Sequence, residues 1–190
     1  MSLHAGGSCT VTRIRHKTFI TYHHNDQAEV VDFINDFDES RDTFITRGIG
    51  EGMPGDVIDS NDIEYVMRRI RELYLRDSSV TIVAIGRCTW ARRYVDWEIQ
   101  ASLRHGPVTT PNGLLGIVLP SAESSPTPPE RLSLNLKGAR ADAGYARWYW
   151  YPHNENQLAA WIEDAYRART LRHHLIENSR ERFRYNRLCT

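Results

Sequence analysis

The segment from Val80 to Gly86 constrains the fold of this chain more than any other. It reads Val-Thr-Ile-Val-Ala-Ile-Gly, an unbroken run of apolar and β-branched residues that ends in a glycine. A run of this kind is typical of a strand buried on both faces within a parallel sheet. Residues 89–103 follow it and have the pattern of a helix. Because both faces of such a strand must be covered, the sequence predicts an α/β fold.

Strand and helix patterns alternate along the rest of the chain. The predicted strands cover residues 17–22, 43–46, 80–86, 114–119 and 146–151. The predicted helices follow Asp26, span 61–75 and 89–103, and begin at Asn154. Leu132, Leu134 and Leu136 alternate with polar residues, which predicts an edge strand or an extended segment. The alternation favours a flavodoxin-like central parallel sheet with helices on both faces.

Capping residues mark three of the helix starts. Asp26 can cap the helix that follows the first strand, and Asn61 with Glu64 resembles a capping box. Asn154 with Gln157 opens the last helix. These residues place the predicted helix boundaries.

A chain of 190 residues fits one domain with a small appendage. We expect a flexible N-terminal tail over residues 1–16, a domain over 17–168 and an Arg-rich C-terminal extension over 169–190. The extension is predicted to be a solvated helical segment. Contact with another subunit is the alternative for it.

Composition argues against several classes of protein. The formal net charge is zero, which gives no electrostatic argument for a nucleic acid or membrane partner. No apolar run approaches the length that spans a bilayer, and the first residues lack a signal-peptide core. Cys9, Cys88 and Cys189 are odd in number and scattered, which argues against a disulfide framework and against a metal site. A reduced, cytoplasmic protein is expected.

The glycine-rich stretch from Arg47 to Gly55 invites a nucleotide-binding interpretation. It has four glycines among nine residues but lacks the GxGxxG register, and the chain has no Gly-Lys-Ser/Thr phosphate loop. The Gly-x-Ser-x-Gly elbow of α/β-hydrolases is also absent. The stretch instead suits a lid or an interaction loop at the ligand-binding edge of the sheet.

Glu98 is an acid at a helical position where apolar residues are expected. Its neighbours at i±3 and i±4 are Tyr94, Val95, Ala101 and Ser102. Ligands of open α/β sheets bind outside the carboxyl ends of the strands, so a sheltered carboxylate there is a candidate catalytic group or ligand clamp. The alternative is a Glu at the rim of the apolar stripe that pairs with Arg92 or Arg93. Its pKa would rise by burial and fall beside either arginine.

A single carboxylate without a metal set suits a reaction whose transition state is a cation. One carboxylate can stabilise an oxocarbenium-like sugar. Cleavage of the nicotinamide–ribose bond of NAD is such a reaction, and nicotinamide leaves as a neutral molecule without a general acid.

Three segments resemble the TIR-like family of the Thoeris anti-phage defence protein ThsB. They are Thr18–Asp26, Val80–Gly86 and Thr89–Ile99, of which the last, with its Arg-Arg-aromatic-Val run before Glu-Ile, is the most specific. The resemblance implies a flavodoxin-like TIR fold and cleavage of NAD. It also implies that ADP-ribose or a cyclic isomer is released as an anti-phage signal, which a partner effector protein reads.

The resemblance also suggests roles for individual residues. Glu98 occupies the position of the catalytic glutamate, and Tyr22 and His23 match the aromatic-His pair that ends the first strand. Arg47 and Trp90 are further candidates for substrate binding. Tyr22 could instead pack on the core, His23 could be a polar loop residue, and Trp90 could pack under the helix start.

The sequence therefore predicts an NAD glycohydrolase or ADP-ribosyl cyclase that uses NAD as substrate and needs no cofactor. The alternative is a non-enzymatic TIR-like interaction module in a bacterial defence pathway. A homo-oligomer is also expected, with the loop 47–55 and the Arg-rich tail taking part in self-association.

Overall fold

The structure is a computed structural model that describes residues 14–39, 45–47, 62–136 and 144–189. Its described strands form one sheet, with β1 at Lys17–Thr21, β2 at Ile45–Arg47, β3 at Val80–Ile85, β4 at Gly113–Val118 and β5 at Arg147–Tyr149. The strands lie in the order β2-β1-β3-β4-β5, and every neighbouring pair is parallel. This is the flavodoxin-like order, so the predicted fold class is confirmed.

Helices cover both faces of the sheet. They are α1 at Gln27–Ile34, α2 at Ile63–Ile70, α3 at Arg93–Ser102, α4 at Glu130–Asn135 and α5 at Glu155–Leu171. Single π-helical turns extend α1 to Glu39 and α2 to Leu75. None of the helices described here is both long and apolar enough to cross a bilayer.

The buried side chains of β1 and β3 pack on the two opposite faces of the sheet. On one face, Ile20 and Ile82 pack with Phe33 of α1 and Ile162 of α5. On the other face, Val83 and Ile85 pack with Val95 and Ile99 of α3, while Phe19 packs with α2. Because side chains alternate along a strand, Thr21 points to the same face as Phe19, which is the face that α3 covers.

The strand or extended segment predicted at Leu132–Leu136 was wrong, because the chain is helical from Glu130 to Asn135. Leucines at i and i+4 lie on one face of a helix as well as on one face of a strand. Leu132 is fully buried and Leu136 packs against the same cluster. Three alternating leucines were therefore too short a pattern to separate the two periods.

The predicted caps have different outcomes. Asn154 accepts from the backbone N–H of Gln157 at 2.9 Å, as expected. Asp26 makes no capping hydrogen bond to α1. Asn61 lies outside the described residues, and the side chain that caps α2 is that of Asp62, which accepts from the N–H of Tyr65 at 3.1 Å.

The expected solvated helical extension is replaced by a segment that packs against α3. Beyond a 3₁₀ turn at His173–Leu175, residues 176–189 are non-helical, and we call them the C-terminal strap. Phe183 of the strap is buried, and its carbonyl oxygen accepts from Trp97 Nε1 at 2.8 Å. The Asn178 side-chain amide donates to the carbonyl of Gln100 at 3.1 Å. The strap is thus part of the folded domain.

An ion-pair network holds the strap. Arg131 of α4 is fully buried and donates to both carboxylate oxygens of Asp96, at 3.0 and 3.3 Å. Arg180 Nη1 and the backbone N–H of Phe183 donate to the same carboxylate, at 3.3 and 3.0 Å. Because a buried charge is tolerated only when it is paired, the contact with Asp96 explains why Arg180 of the strap turns inward.

Cys88 and Cys189 form a disulfide, with their Cα atoms 5.7 Å apart. The expectation of a reduced protein without a disulfide framework was therefore wrong for these two cysteines, and Cys9 lies outside the described residues. The cysteines are 101 positions apart in the chain. Only the return of the strap to the end of β3 brings them together.

Candidate active site

The candidate site lies where β1 and β3 end side by side. From β1 the chain passes to β2 on one side of the sheet, and from β3 it passes to β4 on the other. Such a reversal opens a crevice at the carboxyl ends of the two strands, and ligands of doubly wound sheets bind there. Thr21 ends β1, and Gly86 follows the last residue of β3.

Gly86 leaves room for the Asp26 carboxyl group at the end of β3. A Cβ atom at this position would lie 2.1 Å from Oδ2 of Asp26, so no other residue fits without displacing that carboxyl group. Thr89 Oγ1 contacts the same Oδ2 at 3.2 Å and accepts from the Gly86 N–H at 2.9 Å. Burial raises the pKa of Asp26, and the hydrogen bond from Thr89 opposes that shift.

The predicted helix over 89–103 is interrupted near its start. Thr89–Ala91 form a 3₁₀ turn, Arg92 is extended with φ −98° and ψ 122°, and α3 begins at Arg93. Trp90 therefore belongs to the turn that follows β3 and not to the helix. This break places Arg92 beside the ends of the strands.

Glu98 projects from the middle of α3 toward β1. The buried Thr21 hydroxyl donates to Glu98 Oε2, while the glutamate side chain remains partly exposed. Burial raises the pKa of Glu98 from 4.5 to about 7, and the hydrogen bond from Thr21 opposes the rise. Arg93 instead lies over the ring of Tyr94, 4.7 Å from its centre. Desolvation, and not an arginine, dominates the pKa of this carboxyl group.

His23 is a neutral imidazole at the same edge. The residue is only 4% exposed, and burial together with the charges of Arg92 and His24 lowers its pKa to about 4. Its ring meets that of His24 edge to face, with the centres 4.3 Å apart. At neutral pH it can therefore accept or donate a hydrogen bond without carrying charge.

The structure brings Glu98 and His23 to the carboxyl edge of the sheet, where the turn that carries Trp90 also lies. Tyr22 and Arg47 lie in different surroundings. Tyr22 packs against the cluster on the α1 and α5 face. Trp90 is half-buried in the turn after β3. The backbone of Arg47 ends β2 beside Phe19, and its side chain lies outside what the structure describes.

Sequence reasoning assigned no specific role in the site to Thr21, Asp26 or Thr89. The one specific role given to Asp26 was that of a helix cap. The signal that could have identified Thr21 is its place as a hydroxyl residue at the end of a strand next to β3 in the sheet. Its partner Glu98 is 77 positions away in the chain, so sequence spacing could not pair them.

The flavodoxin-like sheet is the fold of TIR-like proteins. Here it carries a half-buried glutamate near the β1–β3 crevice. The family model for the TIR-like domain of the Thoeris protein ThsB matches residues 19–124, which cover more than half of the chain and include Glu98. The chain belongs to this family, as the sequence resemblance predicted. No curated protein matches it.

Proposed function

We propose that this protein is a TIR-type enzyme that breaks the nicotinamide–ribose bond of NAD. It releases nicotinamide and either ADP-ribose or a cyclic ADP-ribose isomer, which serves as an anti-phage signal. The observation that carries the proposal is the environment of Glu98. Its carboxyl group is desolvated and receives a neutral hydrogen bond from Thr21, and it lies near the ligand-binding crevice.

The reaction needs a negative charge near the sugar. When the bond from C1′ to the nicotinamide nitrogen breaks, both electrons leave with neutral nicotinamide and the ribose becomes an oxocarbenium ion. Ionised Glu98 stabilises that cation through hydrogen bonds to the ribose hydroxyls and through its charge. Water then bonds to C1′ and loses a proton to Glu98 or solvent, or an atom of the adenine half bonds there and closes a ring.

A pKa of about 7 makes Glu98 sensitive to pH near neutrality. Only the ionised form stabilises a cation, so activity should rise as the pH passes upward through the pKa. A carboxylate in a desolvated site also acts more strongly on nearby charge than one in water.

We further propose a cytoplasmic enzyme that draws on cellular NAD. An effector protein that binds the nucleotide product is its functional partner, and self-association through the loop 47–55 supports its activity. Tyr22, His23, Arg47 and Trp90 remain candidates for substrate contact. The partly buried Trp90 ring and the neutral His23 ring suit an aromatic base or a sugar hydroxyl.

The test is the release of nicotinamide from NAD, followed by mass spectrometry with purified protein and with extracts of phage-infected cells. Glu98→Gln keeps the shape of the side chain and removes its charge. We expect cleavage to fall by about 10²-fold or more, the usual effect of losing a principal electrostatic stabiliser. Glu72→Gln is the matched control, because Glu72 is exposed and pairs only with Arg69 among the described ion pairs.

Two outcomes contradict the proposal. If Glu98→Gln cleaves NAD as fast as the wild type, the catalytic assignment is wrong. If the wild type releases no nicotinamide from purified protein or from infected cells, the protein is an interaction module instead.

A further inference from the structure

Arg92 is a cation at the carboxyl edge of the sheet that has no ion-pair partner among the described residues. Its Nε atom is shielded from solvent and has no hydrogen-bond partner there. Arg131, Arg180 and Arg187 on the other side of α3 all pair with carboxylates. The absence of a carboxylate partner in the described part of the chain therefore distinguishes Arg92 from the arginines that hold the strap.

The position of Arg92 is fixed by its backbone. Its N–H donates to the carbonyl of Thr89 at 3.3 Å, and its own carbonyl accepts from the Asp96 N–H at 3.2 Å. Thr89 in turn contacts the Asp26 carboxyl group. The charge of Arg92 helps to lower the pKa of His23 and opposes the rise in the pKa of Asp26, as expected for a side chain near the end of β1.

The surroundings of Arg92 favour an anion. His23 is neutral at physiological pH. Asp26 forms no ion pair with Arg92 among the described residues, and the Asp26 carboxylate instead contacts Thr89 Oγ1 at 3.2 Å. A guanidinium with an unmet donor gains most from an acceptor with two oxygens side by side. Phosphate has this geometry, and an arginine can donate to it through two N–H groups at once.

We propose that Arg92 binds the pyrophosphate of the dinucleotide substrate. The inference rests on the proposed function, since it takes NAD as the ligand. It adds a specificity residue, because the sequence pattern had suggested Arg92 only as a possible ion-pair partner of Glu98. Arg92 directly precedes α3 and Glu98 is the sixth residue of that helix, so about 9 Å of rise separates their backbones. The proposal requires the two side chains to reach the ribose and its 5′-phosphate from the two ends of this separation.

The experiment compares ligands that differ in phosphate. ADP-ribose carries the pyrophosphate, and adenosine and nicotinamide riboside carry none, so NMR titration of each ligand isolates the phosphate contact. Arg92→Gln should weaken ADP-ribose binding by about 10- to 100-fold, the usual worth of a charged hydrogen bond. Binding of the two nucleosides should be unchanged. Arg92→Lys should recover part of the affinity, because lysine keeps the charge without the planar fork.

Arg93→Gln is the matched control. It removes the neighbouring positive charge, but Arg93 lies over Tyr94 and donates to its hydroxyl at 2.8 Å. The affinity of the Arg93→Gln variant for ADP-ribose should stay within about 3-fold of the wild-type affinity, as expected for a distant, partly exposed charge. The His23 ring should also titrate at higher pH in Arg92→Gln and not in Arg93→Gln, which checks the placement of the charge.

The outcomes separate this inference from the proposed function. If the wild type cleaves NAD and binds ADP-ribose but Arg92→Gln binds equally well, the inference is wrong and the enzyme stands. If Arg92→Gln weakens the binding of the nucleosides as much as the binding of ADP-ribose, Arg92 shapes the site and does not bind phosphate. If the wild type neither binds ADP-ribose nor cleaves NAD, both proposals fail.

Discussion

Asp96 and Glu98 are two acids on one helix with opposite surroundings. Residues two apart on a helix point about 200° apart, so Asp96 faces α4 and the strap while Glu98 faces β1. Asp96 accepts hydrogen bonds from Arg131, Arg180 and the Phe183 N–H. Glu98 accepts one from the neutral hydroxyl of Thr21. One carboxylate has its charge fully matched, and the other does not.

The difference separates an acid that supports the fold from the one proposed to act in catalysis. A matched buried charge holds elements together, and its partners leave it no capacity for a ligand. A carboxylate that is desolvated but unmatched is less stable when ionised, and a cation that develops beside it relieves that cost. The strap side of α3 therefore supports the fold, and the β1 side carries the carboxylate that the proposed reaction needs.

The largest expected effect on stability is at Asp96. Asp96→Ala leaves the guanidinium of Arg131 buried without its partner, so the free energy of unfolding should fall by about 3–5 kcal/mol. Urea denaturation measures this change. Glu130→Gln is the control, since Glu130 also pairs with Arg180, at 2.9 Å, but is exposed. It should cost less than about 1 kcal/mol. Equal losses in the two variants would show that the buried network has no special role.

Loss of the disulfide should have the next largest effect. Cys189→Ser removes the link between the strap and the turn after β3, and the closed loop spans 101 positions. The oxidised wild type should exceed the variant by about 2–4 kcal/mol in the free energy of unfolding. A dithiol reductant should remove this difference and leave Cys189→Ser unchanged. A wild type that is insensitive to the reductant would mean that the link does not form.

The smallest expected effect is a shift in the pH dependence of cleavage. Thr21→Val removes a hydrogen bond to the ionised form of Glu98, so the pKa of Glu98 should rise above its value of about 7. In the proposed mechanism only the ionised form is active, so the acid limb of kcat/KM should move up by about one pH unit. Activity at neutral pH should therefore fall in the variant.

Two matched variants test the cause of that shift. Thr21→Ser keeps the hydroxyl and should retain the wild-type pH profile. Thr18→Val alters another buried threonine of β1, whose hydroxyl donates to the carbonyl of His16 at 3.2 Å and not to Glu98. It should leave the acid limb in place. An acid limb that does not move in Thr21→Val would show that Glu98 is not the group that titrates.

The sequence by itself determined the parallel sheet, most of its helices and the position of Glu98. These features depend on local periodicity: a buried strand is continuously apolar, and an acid among apolar i±3 and i±4 neighbours stands out on a helix. The pattern was ambiguous only where it was short, as at Leu132–Leu136. The helix through Glu98 was identified, although its break at Arg92 was not.

Only the tertiary structure decided what each charged group contacts. Thr21 lies 77 positions from Glu98, and Arg131 lies 35 positions from Asp96. Cys189 lies 101 positions from Cys88. Such pairings depend on the path of the chain between the partners, which local patterns do not encode. Whether a carboxylate is matched or left desolvated is therefore a property of the assembled fold, and that property distinguishes Glu98 from Asp96.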